Sequence, residues 1–237
     1  MKNSIACPNC STENPPYVYI CKSCNSFIRD RVYNIDLWKL TGLLIENPKK
    51  AFQLIVYSEH KNFIIFILLL VAAKLLVNAR FASMLSLGEY NPTTNFFLSY
   101  LIMFGIVALY LLMYSLCFTL VNNALNNKSR FRDNLTVLTY SLIPNVFGVA
   151  FLFVLELVVF GEYLFSTNPS PFVIKETVSY IFAGAEVLII LWSVFLLYQA
   201  FRFQTNSLLL SLLNTFAFYL FLSVILYFSS RIIFVIK

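Results

Sequence analysis

The chain has 237 residues, of which 59% are hydrophobic and only 12% charged, whereas a water-soluble domain carries about 25% charged residues. So little polar cover excludes an ordinary soluble globular protein and makes lipid the expected solvent. The net charge of +6 comes mostly from segments that fall on one side of the expected membrane, so it reads as topology and argues against a nucleic-acid partner.

Residues 1–28 are polar and loop-like, and they hold four of the five cysteines as Cys7-x-x-Cys10 and Cys21-x-x-Cys24. Two residues between cysteines let both thiolates of a turn point at one ion, and two such turns complete a tetrahedral zinc. The ten-residue spacer is short but admits a hairpin. Ser11 and Asn25 follow the two turns, and Asn tolerates the left-handed backbone often needed there. Two disulfides would need an oxidising compartment, and a thioredoxin-type pair would need a strand–helix setting that this stretch lacks. The expectation is therefore a zinc ribbon over residues 1–28, on the cytosolic side. Four cysteine ligands leave no open coordination position, so the metal is expected to be structural, and the ribbon to present a surface to a protein partner.

Residues 29–61 change character. Asn34 is expected to cap a helix from Ile35 to Glu46. Asn47-Pro48 ends that helix and starts another, with Asn47 as N-cap and Pro48 in the first turn. Both helices are too short and too charged to cross a bilayer, and they read as amphipathic helices lying at the membrane interface.

Residues 62–237 contain five long apolar runs, at about 62–87, 97–121, 135–160, 178–201 and 208–230. Each reaches the roughly 20 residues that a span needs, so the fold class is an all-α membrane bundle. Eight Lys and Arg precede the first run, and loop 88–96 has none. Loop 122–134 has Lys128, Arg130 and Arg132, loop 161–177 sets Lys175 against Glu162 and Glu176, and loop 202–207 has Arg202. This alternation predicts a cytosolic N-terminus, five crossings and an external C-terminus, with Arg231 and Lys237 in a short tail. The first apolar run starts near Asn62, beyond the zone of cleavable signal peptides, so the first span is expected to act as its own insertion signal.

Charges inside the runs are the candidate intramembrane site. Lys74 and Arg80 interrupt the first run, and a lysine at the bilayer centre costs a few kcal/mol on insertion scales. Either the span ends near Asn78 and lets Lys74 reach the interface, or Lys74 pairs with Glu156 or Glu186. In the third run Pro144 removes a backbone donor and is expected to kink or break the helix, with Asn145 and Gly148 close behind. Cys117, alone in an apolar run, is expected to be a small buried residue. His60 is the only histidine and there are six Gly, so neither a histidine-based site nor a phosphate-cradling loop can be assembled. No enzyme is expected.

The segment from Ser129 to Pro144, a basic stretch leading into a span that carries Tyr140, Ser141 and Pro144, resembles a region of the Yip family, the Ypt/Rab-interacting membrane proteins. Leu43 to Pro48 with Phe52 is similar to the start of the bacterial and archaeal Yip domain, and the resemblance covers roughly residues 40–230. It implies five spans with the N-terminus inside, a prokaryotic plasma membrane, and a scaffold or adaptor acting in membrane organisation or trafficking, in contact with lipid and open to self-association. No separate stretch is assignable to Rab binding, so the trafficking role of eukaryotic relatives does not carry over with it. The competing reading is a small-solute or ion transporter or channel using Lys74, Glu156 and Glu186. A lipid-acting enzyme ranks third, because no nucleophile–base pair can be named.

Overall fold

The computed structural model describes residues 4–87, 90–92, 95–166 and 168–236. It begins with a two-stranded antiparallel ribbon, β1 (Ile5–Ala6) on β2 (Glu13–Asn14), with Ile5 opposite Asn14. Two ten-residue helices follow, α1 (Leu37–Glu46) and α2 (Pro48–Tyr57). Asn47 caps α2 as expected, its side chain accepting from the Lys50 amide, with Pro48 at the first position. The cap of α1 differs from the expectation. It is Asp36, not Asn34, and it accepts from the amides of Trp38 and Lys39. The reason is register: Tyr33 is tied to His60 by a backbone bond, which keeps the chain extended past Asn34. Leu40, Leu44, Ala51, Phe52 and Ile55 are buried on these two helices.

Five helical segments are long and apolar enough to cross a membrane: Ile64–Ser83, Phe96–Ala124, Phe131–Phe165, Glu176–Thr205 and Leu208–Ile233. These match the five runs read from the sequence. Only 17% of the fourth segment's apolar window lies inside the protein. Apolar surface on that scale is stable only against lipid, and helices satisfy their own backbone polar groups there. The chain is an integral membrane protein. The first and second spans are the helices α3 (Ile64–Leu87) and α4 (Phe96–Ala124).

The third span is not one helix. It is assembled from α5 (Phe131–Ser141), α6 (Ile143–Phe147), a π-turn (Gly148–Leu152), α7 (Phe153–Phe160) and a 3₁₀ turn (Gly161–Phe165). Pro144 sits in the first turn of α6, just past the break at Leu142, where a residue without an N–H costs no hydrogen bond. Gly161 closes α7 with a φ of 55°, a left-handed conformation that suits glycine. A short helix α8 (Pro171–Ile174) then leads to α9 (Glu176–Thr205), α10 (Leu208–Ile233) and strand β4 (Phe234–Ile236). Strand β3 (Tyr90–Pro92), which follows α3, pairs antiparallel with β4. The ends of the first and fifth spans therefore lie on one side, as the four crossings between α3 and β4 require.

The chain divides into two compact units. One comprises Met1–Ile64, Leu111–Ser141 and Phe195–Phe216, and the other Ile65–Tyr110, Leu142–Val194 and Ala217–Lys237. The first gathers the N-terminal region with the loops after the second and fourth spans, and twelve of the seventeen Lys and Arg. The second gathers the loops after the first and third spans with the end of the fifth. Within the first unit the Tyr114 hydroxyl donates to the Asn214 carbonyl at 2.7 Å, and within the second the Tyr110 hydroxyl donates to the Phe218 carbonyl at 2.5 Å. Cys117 departs from its expectation. It is exposed on α4, because in lipid the outward face of a helix is as apolar as its inward face and a small thiol is tolerated on either.

Candidate functional site

Three groups of side chains stand out: the four ribbon cysteines, a buried charge cluster near the start of the spans, and the intramembrane charges.

The cysteine turns are two copies of one backbone device. Cys7 donates its amide to Thr12 and accepts from the Ser11 amide, while Cys21 does the same with Ser26 and Asn25. Ser11 and Asn25 both adopt a φ of 55°, the left-handed turn that brings the second cysteine of each pair back towards the first. The four sulfurs lie within 4.8 Å of one another, with Cys7 to Cys24 and Cys10 to Cys21 each at 3.6 Å. A tetrahedral ion with sulfur ligands at about 2.3 Å sets its sulfurs roughly 3.8 Å apart, so the donor set fits one such ion. The side chain of buried Asn14 links the two turns, donating to Thr12 at 2.8 Å and accepting from the Lys22 amide at 3.1 Å. The Ser26 hydroxyl lies 2.9 Å from the Cys24 sulfur and 3.2 Å from that of Cys7. Its hydrogen bond holds the Cys24 thiol down to about 6 and also lowers Cys7, which favours the thiolates a metal needs. The cysteine spacing was visible in the sequence, but the parts played by Asn14 and Ser26 were not.

The ribbon is gripped through Tyr17. The Arg130 guanidinium stands 4.1 Å from the centre of the Tyr17 ring, and Arg29 donates to the Tyr17 carbonyl at 3.2 Å while lying 3.9 Å from the Tyr57 ring. Arg130 in turn pairs with Asp133 at 2.8 Å, and Asp133 with Lys61 at 2.9 Å. The Lys61 and Asp133 side chains are 1% and 4% exposed. Lys61 also donates to the Ile55 and Val56 carbonyls at the end of α2. Burial pulls the Lys61 pKa down from its ordinary value, against the opposing pull of Asp133. Next to Lys61, the fully buried Tyr140 donates its hydroxyl to the Asn62 carbonyl at 2.7 Å. Phe63 takes a φ of 63° there, a region that bulky residues enter only when their surroundings hold them. These contacts join the ribbon to α2 and α5 within one unit, and in the sequence Lys61 is only one more of the basic residues ahead of the first span.

Among the intramembrane charges, Lys74 is completely buried and paired with Glu186 on α9. Its stem crosses Gly148 at the π-turn, where a β-carbon would stand 3.0 Å from the Lys74 Cε. Glu156 on α7 is 4% exposed, and its Oε2 has no hydrogen-bond partner among the described residues. Asn145, just after Pro144, donates to the Ser193 hydroxyl at 3.0 Å. Lys74, Glu156, Glu186 and the Pro144 break thus fall in one unit. His60 forms only a backbone bond to Tyr33 among the bonds described, so its imidazole takes no assigned role.

Comparison with protein-family models finds the Yip1 domain over residues 42–230. No curated protein and no solved structure matches the chain. The matched stretch begins within α1 and takes in the first four spans and most of the fifth, while the four cysteines lie ahead of it.

Proposed function

The chain belongs to the Yip1-domain family, and from that premise we propose that it is a non-enzymatic membrane adaptor whose partner surface is a structural zinc ribbon on the cytosolic face. The observation that carries this reading is the convergence of four thiols on one point in a module tied by Tyr17 to the Arg130–Asp133–Lys61 chain. A closed four-thiolate site has no place for substrate, so its value is mechanical: it stiffens a segment too small to have a core and holds its outer face in a fixed pose. Zinc is the ion favoured by four cysteines in a reducing compartment. The twelve basic residues in the ribbon's unit support a cytosolic N-terminus by the positive-inside rule. The family form favours a prokaryotic plasma membrane. Trp38 and Ile45 stand seven residues apart on one face of α1, 85% and 63% exposed, which suits a helix lying in the headgroup layer.

The test is capture of partners from mild detergent with the full chain and with Cys7→Ser and Cys21→Ser variants. One zinc per chain in the wild type, and loss of both metal and partner in the variants while the spans keep their helicity, supports the adaptor. An unchanged partner set in metal-free variants defeats it.

The second reading, a transporter or channel, draws on Glu156, whose buried Oε2 shares a unit with the Lys74–Glu186 pair. It requires flux in reconstituted vesicles that changes when Lys74, Glu156 or Glu186 is neutralised. Wild-type flux in all three folded variants, or no flux at all, removes it.

A further inference from the structure

Glu156 is buried in a span, and no hydrogen bond of the fold accounts for it. It sits on α7, 4% exposed, and its Oε2 has no hydrogen-bond partner among the described residues. An acid held in that way is costly when ionised, and it persists in a span where a partner or a use offsets the cost.

Two charges act on Glu156. The Glu186 carboxylate on α9 repels its ionised form, and the Lys74 ammonium on α3 attracts it. Lys74 is completely buried and already paired with Glu186. Glu186 lies ten residues past the first residue of α9, about 15 Å along the axis, well inside an apolar layer of roughly 30 Å. The other charges on the helices of this unit stand elsewhere along them. Arg80 is six residues beyond Lys74, Glu176 opens α9, Arg231 is in the last turn of α10, and α4 carries none. Two phenols complete the titratable neighbours: Tyr100 on α4, which donates to the Leu69 carbonyl, and Tyr219 on α10.

With every group ionised, Lys74, Glu156 and Glu186 carry two negative charges and one positive. An uncompensated charge in so dry a place is costly, and one more cation brings the sum to zero. A calcium ion takes about six to eight oxygen ligands, whereas a proton needs one, and Oε2 of Glu156 is unengaged. The backbone supplies the setting. The Lys74 stem crosses Gly148 in the π-turn, where a β-carbon would stand 3.0 Å from Cε. Turns of this kind recur at functional sites, and the bare glycine makes room for the stem that carries the ammonium to the acids.

We propose that Glu156 is an intramembrane proton site, whose carboxyl takes up one proton on its unengaged oxygen and releases it while the Lys74–Glu186 pair stays formed. On uptake the O–H bond forms and the three groups become neutral together. On release the proton passes to water, and the carboxylate left behind is held by the Lys74 charge that already acts on it. The inference deepens the second reading above by naming its ion, and it rests on that reading only for passage from one side to the other.

The experiment treats the full chain in phosphatidylcholine nanodiscs with dicyclohexylcarbodiimide, an apolar reagent that adds to protonated carboxyls, and reads the adduct by peptide mass spectrometry. The expected result is one adduct per chain, on the peptide that contains Glu156. Its rate should fall about ten-fold per pH unit once the carboxyl is mostly ionised. Infrared spectra of the unmodified wild type should show one protonated-carboxyl band lost as pH rises, a measurement that needs no variant to fold. Glu156→Gln should abolish both signals, and Glu156→Asp should keep them. No adduct, an adduct on another acid, a rate flat from about pH 5 to 9, or a band that survives Glu156→Gln overturns the site. Protection by excess sodium at constant pH assigns the site to a metal cation and overturns the proton. Labelling at Glu156 in vesicles that show no flux supports the site and removes only the transport reading, whereas flux without labelling removes the site and leaves that reading standing.

Discussion

Lys61 and Lys74 lie thirteen residues apart in the chain, one in each compact unit, and both are out of water. Their surroundings differ in who supplies the acceptors. Around Lys61 the backbone does most of it: the ammonium sits at the end of α2, takes the Ile55 and Val56 carbonyls, and adds Asp133. Cations are stabilised at a helix C-terminus by the spare carbonyls and the helix dipole, so this lysine caps α2 and fixes it to α5. Around Lys74 the ion pair made among the described residues is with a side chain, Glu186. The first arrangement is a fastening whose acceptors cannot move far. The second joins two side chains on two helices and has the freedom a functional site needs. The family-wide domain includes both, and the comparison separates the part that holds a shape from the part that could change one.

The sharpest way to break the contrast is Glu186→Gln. It leaves the Lys74 ammonium buried without its carboxylate, a loss expected to reach about 3–5 kcal/mol, read as a fall in thermal stability in detergent. Adding Lys74→Met to that variant should recover most of the loss, because the stranded charge then disappears. Asp133→Asn should cost less, about 2–3 kcal/mol, since Lys61 keeps its carbonyl partners. Equal costs for the two variants would erase the distinction.

The Lys61 side of the comparison also has a pH signature. Its pKa lies below that of an ordinary lysine because of burial. Between the two values the unfolded chain binds more protons, so stability should rise with pH across that alkaline window. Denaturant melts at increasing pH test this, and a flat profile counts against the buried ammonium. Tyr140→Phe should cost about 1 kcal/mol by removing the bond to the Asn62 carbonyl. The smallest effect belongs to the exposed pair of Arg31 and Glu59, at 2.6 Å. Its hydrogen bond holds the Glu59 carboxyl below the usual range, so its contribution is present at neutral pH and lost as acid protonates Glu59. Glu59→Gln should shift melting barely at pH 7 and not at all in strong acid.

How much of this was legible in the sequence depended on distance along the chain. The cysteine turns, the Asn47-Pro48 junction and the break at Pro144 are decided within a few residues, and composition and spacing expose them. The five spans were legible because a bilayer imposes a length on any apolar run. The Lys61–Asp133 pair joins residues 72 positions apart, and nothing near either one announces the other. Asp36 displaced Asn34 as a cap because of a strand-like contact at Tyr33 and His60 that local rules ignore. Cys117 misled for a different reason: burial rules learned from water do not apply to a helix face that lipid covers. The Lys74 partner was narrowed to two candidates by charge alone, and choosing Glu186 needed the rotation of α9 about its axis.

The pairing of β3 with β4 also sets an order in time. β3 leaves the ribosome after one span, and its partner emerges only after four more have been made. Until then a strand edge stands unpaired at the membrane surface, open to wrong neighbours, and its ladder forms late because Tyr90 and Ile236, which it pairs, stand 146 residues apart. Insertion of this protein should therefore show a final step, after the last helix enters the bilayer, in which the two ends of the bundle are stitched together. A fusion that delays or blocks residues 234–236 would stall that step while leaving every span in place.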